Sequence, residues 1–227
     1  MARPSLVVTD FAGTTLRDDG TVLSAYRRVL SARGIPFTEA DLTARRGASK
    51  RAVFDDFAGR VASDPGARRE LAAAALADFE AALRHEYERG DLHEIDGAEH
   101  AVRTLRDAGM RVALSSGFAR RLVDVMLARL RWQTLFDTVV GADDVPVGRP
   151  APFLIYRAMM DLGVLDVASV AVVGDTTLDL RSANNARAGW AIGVLSGAHD
   201  LPTLGAEAHT HLLPSVAGLP ALFEVQV

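Results

Sequence analysis

The stretch SLVVTDFAGTT, residues 5–15, sets the architecture. Leu6, Val7, Val8 and Thr9 form a short, almost uninterrupted apolar and β-branched run, and Asp10 closes it. An alternating pattern would leave one face for water; a continuous run describes a strand covered on both faces, as in a parallel sheet. Working outward, the same grammar returns in RVALSSG (111–117), FDTVVGADD (136–144), SVAVVGD (169–175) and WAIGVLSG (190–197). Helical spacing fills the gaps. EHAVRTLRDAG aligns Ala101, Leu105 and Ala108, and FARRLVDVMLARL, PAPFLIYRAMMDLG and LDLRSANNARAG follow. Strand alternating with helix, the helices often ending in Gly, predicts an α/β fold with a Rossmann-like, doubly wound parallel sheet.

Residues 17–93 break that alternation. VLSAYRRVL places Val22, Tyr26, Val29 and Leu30 on one face, and SKRAVFDDFAGRV aligns Val53, Phe57 and Val61. RRELAAAALADFEAALRHEY aligns Leu71, Ala75, Phe79, Leu83 and Tyr87. At least three amphipathic helices without a strand signal, placed after the first strand, predict an inserted α-helical cap over 17–93. Residues 1–16 plus 94–227 are then the core.

Composition narrows the function classes. At 227 residues the chain can bury a full core, and 49% hydrophobic with 24% charged residues is ordinary for a globular protein. A net charge of −4 argues against a nucleic-acid or anionic-membrane partner. The absence of cysteine excludes disulfides, thiol nucleophiles and thiolate metal sites. No apolar run reaches the length of a membrane span, and MARPSLVVTDF lacks the h-region of a signal peptide. A soluble, cytoplasmic protein with a small-molecule partner is the expectation.

In doubly wound sheets, ligands gather at the carboxyl ends of the strands. Those ends carry Asp10, Ser115, Ser116 and Gly117, Asp143 and Asp144, and Asp175, with Arg149 following in VGRP. Carboxylates from separate strands can share one Mg²⁺, a hard cation that favours oxygen ligands. A hydroxyl and backbone N–H at a strand-to-helix turn can hold a phosphate oxygen. Together these are parts for phosphoryl transfer to a carboxylate nucleophile. Singly, each Asp or Ser could equally be a turn former or a helix cap.

The ordered set DFAGTT (10–15), ALSSG (113–117), GRPAP (148–152) and VGDTTLD (173–179) resembles the four motifs of the haloacid dehalogenase superfamily. The resemblance covers essentially the whole chain. It implies that Asp10 is the nucleophile, that Ser116 and Gly117 bind the transferring group, and that Arg149 takes the cation position. It further implies that Asp175, Asp10 and the carbonyl of Ala12 hold Mg²⁺, while Asp179 orients the metal's water shell or Arg149.

Ala12 stands where most phosphatases of the superfamily carry a second Asp, which protonates the leaving alkoxide. DFAGTT resembles instead the phosphonatase (phosphonoacetaldehyde hydrolase) branch, which breaks a carbon–phosphorus bond. That branch uses a cap lysine as a Schiff base, so that the departing carbon leaves as a neutral enamine. The chain has 24 Arg and a single Lys, Lys50, in RGASK. A site needing only positive charge would follow the Arg bias; an imine needs a primary amine, which a guanidinium cannot supply. Arg45, Arg46 and Arg51 surround Lys50 in sequence, and are expected to oppose its protonation and attract a phosphonate.

Two positions depart from phosphonatases proper: Arg46 replaces a Met, and Val53 replaces a His. His85, Tyr87 and His93 are the cap residues that could stand in for it. His199, His209 and His211 are expected on the surface or in loops. The resemblance allows a cap-mediated homodimer. Two other functions fit the same residues: a phosphomonoesterase in which Lys50 only binds substrate, and a non-catalytic phosphate-binding protein.

Overall fold

The computed structural model describes residues 3–225. Among these residues, six strands form one sheet: β1 (Leu6–Asp10), β2 (Arg111–Ser115), β3 (Thr138–Val140), β4 (Val170–Gly174), β5 (Trp190–Val194) and β6 (His211–Leu213). Their spatial order is β3-β2-β1-β4-β5-β6, and every neighbouring pair is parallel. The continuous apolar runs are explained by burial: every residue of β1, β4 and β5 is buried. After β3 the chain crosses back past β1 to begin β4 on its other side. Asp10 lies opposite Ser115 in the register, and Asp175 directly follows Gly174 of β4. The strand-end residues thus meet at the switch in strand order, where such sheets open a crevice.

The helices are α1 (Thr21–Ala32), α2 (Glu39–Ala44), α3 (Lys50–Ala58), α4 (Pro65–Arg89), α5 (Ala98–Asp107), α6 (Arg120–Leu130), α7 (Phe153–Leu162), α8 (Thr177–Ala186), α9 (Leu201–Gly205) and α10 (Leu219–Leu222). Among the described residues, none is long and apolar enough to cross a membrane.

Helices α1 to α4 follow β1 and pack on one another. Tyr26, Phe54 and Phe79 make their centre, with ring centroids 4.4–5.3 Å apart. Helix α4 begins cleanly because the Asp64 carboxylate accepts from Ala67 N (2.8 Å) and Pro65 occupies the first turn, where no amide partner is needed. The chain enters and leaves this helical unit through a narrow neck. Ile95 N donates to Thr15 O (2.8 Å) and Arg17 N donates to His93 O (2.9 Å). On this neck we propose the boundaries 17 and 93 for the cap.

The structure corrects several sequence expectations. β3 is three residues long rather than running from 136 to 144, because Asp143 and Asp144 lie in a 3₁₀ turn. Their carboxylates accept from Arg120 N (2.7 Å) and Gly141 N (2.8 Å), so they cap rather than join the site. Val61 is 49% exposed, since α3 ends at Ala58. β6 has no counterpart among the expected strands; its three residues are only half-buried, too short and too mixed to announce a strand.

Candidate active site

Asp10, Asp175 and Asp179 converge at the carboxyl edge of the sheet, each offering an oxygen within 4.8 Å of the others. All three are buried. Their neighbours are dictated by short turns. Gly13 sits at φ +91°, and a Cβ there would lie 2.3 Å from the Asp175 carboxylate, so the DFAGTT loop needs Gly to pass this close. Thr14 Oγ1 donates to Asp175 (3.1 Å), and Ala198 N donates to the other oxygen (2.7 Å). Asp179 closes a capping box at the start of α8, accepting from Thr176 N (3.1 Å) and Thr176 Oγ1 (2.6 Å).

Arg149 ties the carboxylates together. Its Nη1 stands 2.6 Å from Asp10, its Nε 2.9 Å from Asp179, and its Nη2 donates to Ser115 Oγ (2.7 Å). Nη1 makes its pairing by charge and not by an aligned hydrogen bond. A planar, permanently charged fork suits this three-way task.

The electrostatics call for more positive charge. Three buried carboxylates face one buried guanidinium. Burial, opposed by Arg149 and reinforced by Asp179, pushes Asp10 up to about 6. Burial, together with Asp10 and Asp179, pushes Asp175 up to about 8. A hard divalent cation between Asp10 and Asp175 would relieve this repulsion, and an all-oxygen donor set fits Mg²⁺. Both Asp179 oxygens are engaged by Arg149 and Thr176, which suits orientation better than ligation.

Lys50 reaches the same place from the cap. It is the first residue of α3, 8% exposed, and lines a cavity of about 40 Å³ with Asp10, Ala12, Asp18, Tyr26, Arg46 and Arg149. Ser116, Gly117, Phe118 and Asp175 line it as well. Lys50 Nζ donates to Ala48 O (3.3 Å) and lies 4.8 Å from the Phe118 ring centre and 6.0 Å from that of Tyr26. Burial lowers its ammonium to about 8, against the pull of Asp10 and Asp18, with Arg149 and Arg46 adding to the decrease. The positive end of α3 acts in the same direction.

The expectation that Arg45 and Arg51 help to depress Lys50 is corrected. Arg45 pairs with Asp41 and Asp56 and stacks over Phe57, and Arg51 is solvent-exposed. Arg46 does line the cavity, paired with Asp18 at 2.9 Å. His85, Tyr87 and His93 are not among the cavity's lining residues: the two histidines are exposed, and Tyr87 is buried close enough to Asp18 for that carboxylate to add to the rise that burial imposes on its phenol. Val53 is buried in the apolar core. Ser116 Oγ accepts from Phe118 N (3.2 Å) and its N–H donates to Val140 O (2.9 Å), so it also shapes the turn that it was expected to serve. His199 is half-buried, its Nδ1 accepting from Thr177 N (3.1 Å); His209 is exposed and His211 lies on β6.

Sequence reasoning missed Asp18, Tyr26, Phe118, Thr14 and Thr176. The two threonines stand inside DFAGTT and VGDTTLD, where their spacing from Asp10 and Asp175 is signal enough. Nothing in the sequence distinguishes the other three from ordinary loop and core residues.

A parallel sheet with three acidic side chains converging at one edge, and helices closing over them, defines a class of α/β enzyme. Residues 7–192 match the haloacid dehalogenase-like hydrolase family, and the chain belongs to it. A phosphonoacetaldehyde hydrolase from Bacillus cereus (strain AH187) is 27% identical over 217 residues, covering 86% of this chain and 77% of that protein. One from strain B4264 is 33% identical over 108 residues; that match spans 47% of this chain and 40% of its relative's length. Among solved structures, a phosphonoacetaldehyde hydrolase-like protein from Oleispira antarctica superposes with a TM-score of 0.81 at 18% identity, covering 98% of this chain and 92% of that one. A predicted phosphatase from Clostridium acetobutylicum also scores 0.81 at 18% identity, covering 98% and 99%. At such identities both share the fold alone.

Proposed function

We propose that this hydrolase cleaves the C–P bond of a small phosphonate bearing an aldehyde or ketone, phosphonoacetaldehyde or a close analogue. The observation that carries the reading is a buried primary amine, with its ammonium lowered to about 8, lining one small cavity with Asp10. The naming of the Bacillus relatives supports the same reading.

Lys50 adds to the substrate carbonyl and, with loss of water, becomes an iminium. Asp10 then attacks phosphorus: the O–P bond forms and the C–P bond breaks. The released electron pair flows through the iminium to give a neutral enamine, avoiding a free carbanion. Water hydrolyses the aspartyl-phosphate. The enamine takes a proton on carbon, and hydrolysis of the imine frees the carbonyl product and Lys50. Ala12 fits this route, because an enamine leaving group needs no acid beside Asp10.

Arg149 holds Asp10 in line and, with Ser116 and Gly117, receives the phosphonyl oxygens. Arg46 adds positive charge on the cap side. Mg²⁺, held by Asp10, Asp175 and the Ala12 carbonyl, would supply charge neutralisation for nucleophile and phosphonyl group. Asp179 keeps Arg149 oriented. A closed cap would keep water from the imine.

The test is reductive trapping. Incubation with phosphonoacetaldehyde and borohydride should leave a mass increment on Lys50, and phosphate should appear in the unreduced reaction. Brisk hydrolysis of phosphate esters without any Lys50 adduct would instead establish a phosphomonoesterase.

A further inference from the structure

Imine formation at Lys50 makes a demand that none of the residues given a role so far meets. Converting an ammonium and a carbonyl into an iminium and water moves two protons from nitrogen to the departing oxygen. A side chain that lines the cavity can carry them. Few are available among the residues that line it. Asp10 and Asp175 are committed to phosphorus and metal, and the arginines keep their protons. The Tyr26 hydroxyl is buried without a hydrogen-bond partner among the described residues, and burial pushes the phenol well above its ordinary value, which disqualifies it as a base. One helical turn beyond Lys50, Val53 is apolar and buried.

Asp18 remains. It lies just past the neck, before α1, so it faces the cavity from the cap side, as Lys50 does. Its side chain is only 10% exposed. One oxygen accepts from Gly20 N (3.3 Å) and the other from Arg46 Nη2 (2.9 Å), which fixes the carboxylate in place. Its negative charge, like that of Asp10, favours the Lys50 ammonium.

Building on the Schiff-base reading, we propose that Asp18 is the proton carrier for imine formation and hydrolysis. The Asp18 carboxylate takes two protons in turn from the Lys50 nitrogen and delivers both to the carbonyl oxygen. The N–C bond forms, the C–O bond breaks, and oxygen leaves as water. The third ammonium proton stays on the iminium, and Asp18 ends as the carboxylate it began. Imine hydrolysis runs the same transfers backwards.

The experiment is rapid-quench borohydride trapping with phosphonoacetaldehyde, timing the Lys50 adduct. Asp18→Asn should slow its appearance about 100-fold, the scale of general acid–base catalysis, with KM changed far less. Asp18→Glu should recover most of the rate. Asp18→Ala with added formate, which returns a carboxylate without the tether, should recover part of it; this arm serves if the Asn variant folds poorly. Trapping at the wild-type rate in Asp18→Asn, or no gain from formate, overturns the assignment. A wild-type chain that gives no adduct overturns the Schiff-base reading itself, and this assignment with it.

Discussion

The backbone amide of Lys50 points at the carbonyl of Gly117, 3.4 Å away. It joins the first residue of a cap helix to the turn that follows β2. Around it, three close approaches bring residues 47–50 onto the core. A Cβ on Gly117 would lie 2.9 Å from Ala48 O, one on Gly148 2.7 Å from Ser49 Cβ, and one on Gly47 2.5 Å from Thr176 Oγ1. The amine is therefore placed by backbone docking, and the following predictions concern that placement.

Gly47→Ala tests the seam. Gly47 has φ +78°, a region that disfavours side chains, and its added methyl would meet Thr176. Displacing Lys50 by about 1 Å should lower kcat about 100-fold with the protein still folded. Steady-state kinetics alongside a thermal melt would show it; unchanged kcat would mean that the seam does not set the geometry.

Lys50→Arg keeps the charge and removes the primary amine. Turnover of a carbonyl phosphonate should fall about 10³-fold or more, and reductive trapping should vanish. A variant that retains a tenth of wild-type kcat would assign Lys50 a purely electrostatic role.

The pH dependence follows from the lowered ammonium. With its pKa near 8 rather than 10.5, about a quarter of Lys50 is neutral at pH 7.5, against about one molecule in a thousand for an ordinary lysine. The rate of borohydride labelling should climb from pH 6 and level off just above pH 8. Labelling that still rises steeply at pH 10 would contradict the burial of this amine.

The acidic cluster ties stability to pH and metal. Asp10 and Asp175 have folded pKa values above their unfolded ones, so between about pH 4 and 8 the folded state binds more protons. Their contribution therefore falls as pH rises from about 4 to about 8, the Asp10 part being spent near 6 and the Asp175 part near 8. Chelator-treated protein should lose thermal midpoint over that interval, and millimolar Mg²⁺ should restore more at pH 8 than at pH 6. Asp175→Asn should abolish the Mg²⁺ increment. Calorimetry with and without Mg²⁺ measures both effects.

Tyr26→Phe removes a buried hydroxyl that has no partner among the described residues, while keeping the ring between Phe54 and Phe79. Relief of an unsatisfied polar group should raise stability by about 1 kcal/mol, read from denaturant midpoints. A loss of similar size would show that the hydroxyl is hydrogen-bonded in solution.

Much of the fold was legible because its cues are local. Continuous apolar runs ending in Asp or Ser located β1, β2, β4 and β5, and apolar spacing located helices α1, α3 and α4. Asp10, Arg149, Asp175 and Asp179 stood out because strand ends and motif spacing mark them. Where the cue was weak, the reading failed. Half-buried β6 carries no clean pattern, and Val61 keeps helical spacing beyond the point where α3 stops.

By itself, then, the sequence determined a parallel sheet, a helical insert, an acidic strand-end set and one primary amine, since each follows from residue type and spacing along the chain. Only the tertiary structure decided what surrounds that amine. Tyr26, Phe118, Asp18 and Gly117 come to Lys50 from segments 24 to 68 positions away, and no periodicity encodes such meetings. The lowered ammonium of Lys50 comes from burial, against the pull of Asp10 and Asp18, and that burial is created when α3 docks on the sheet.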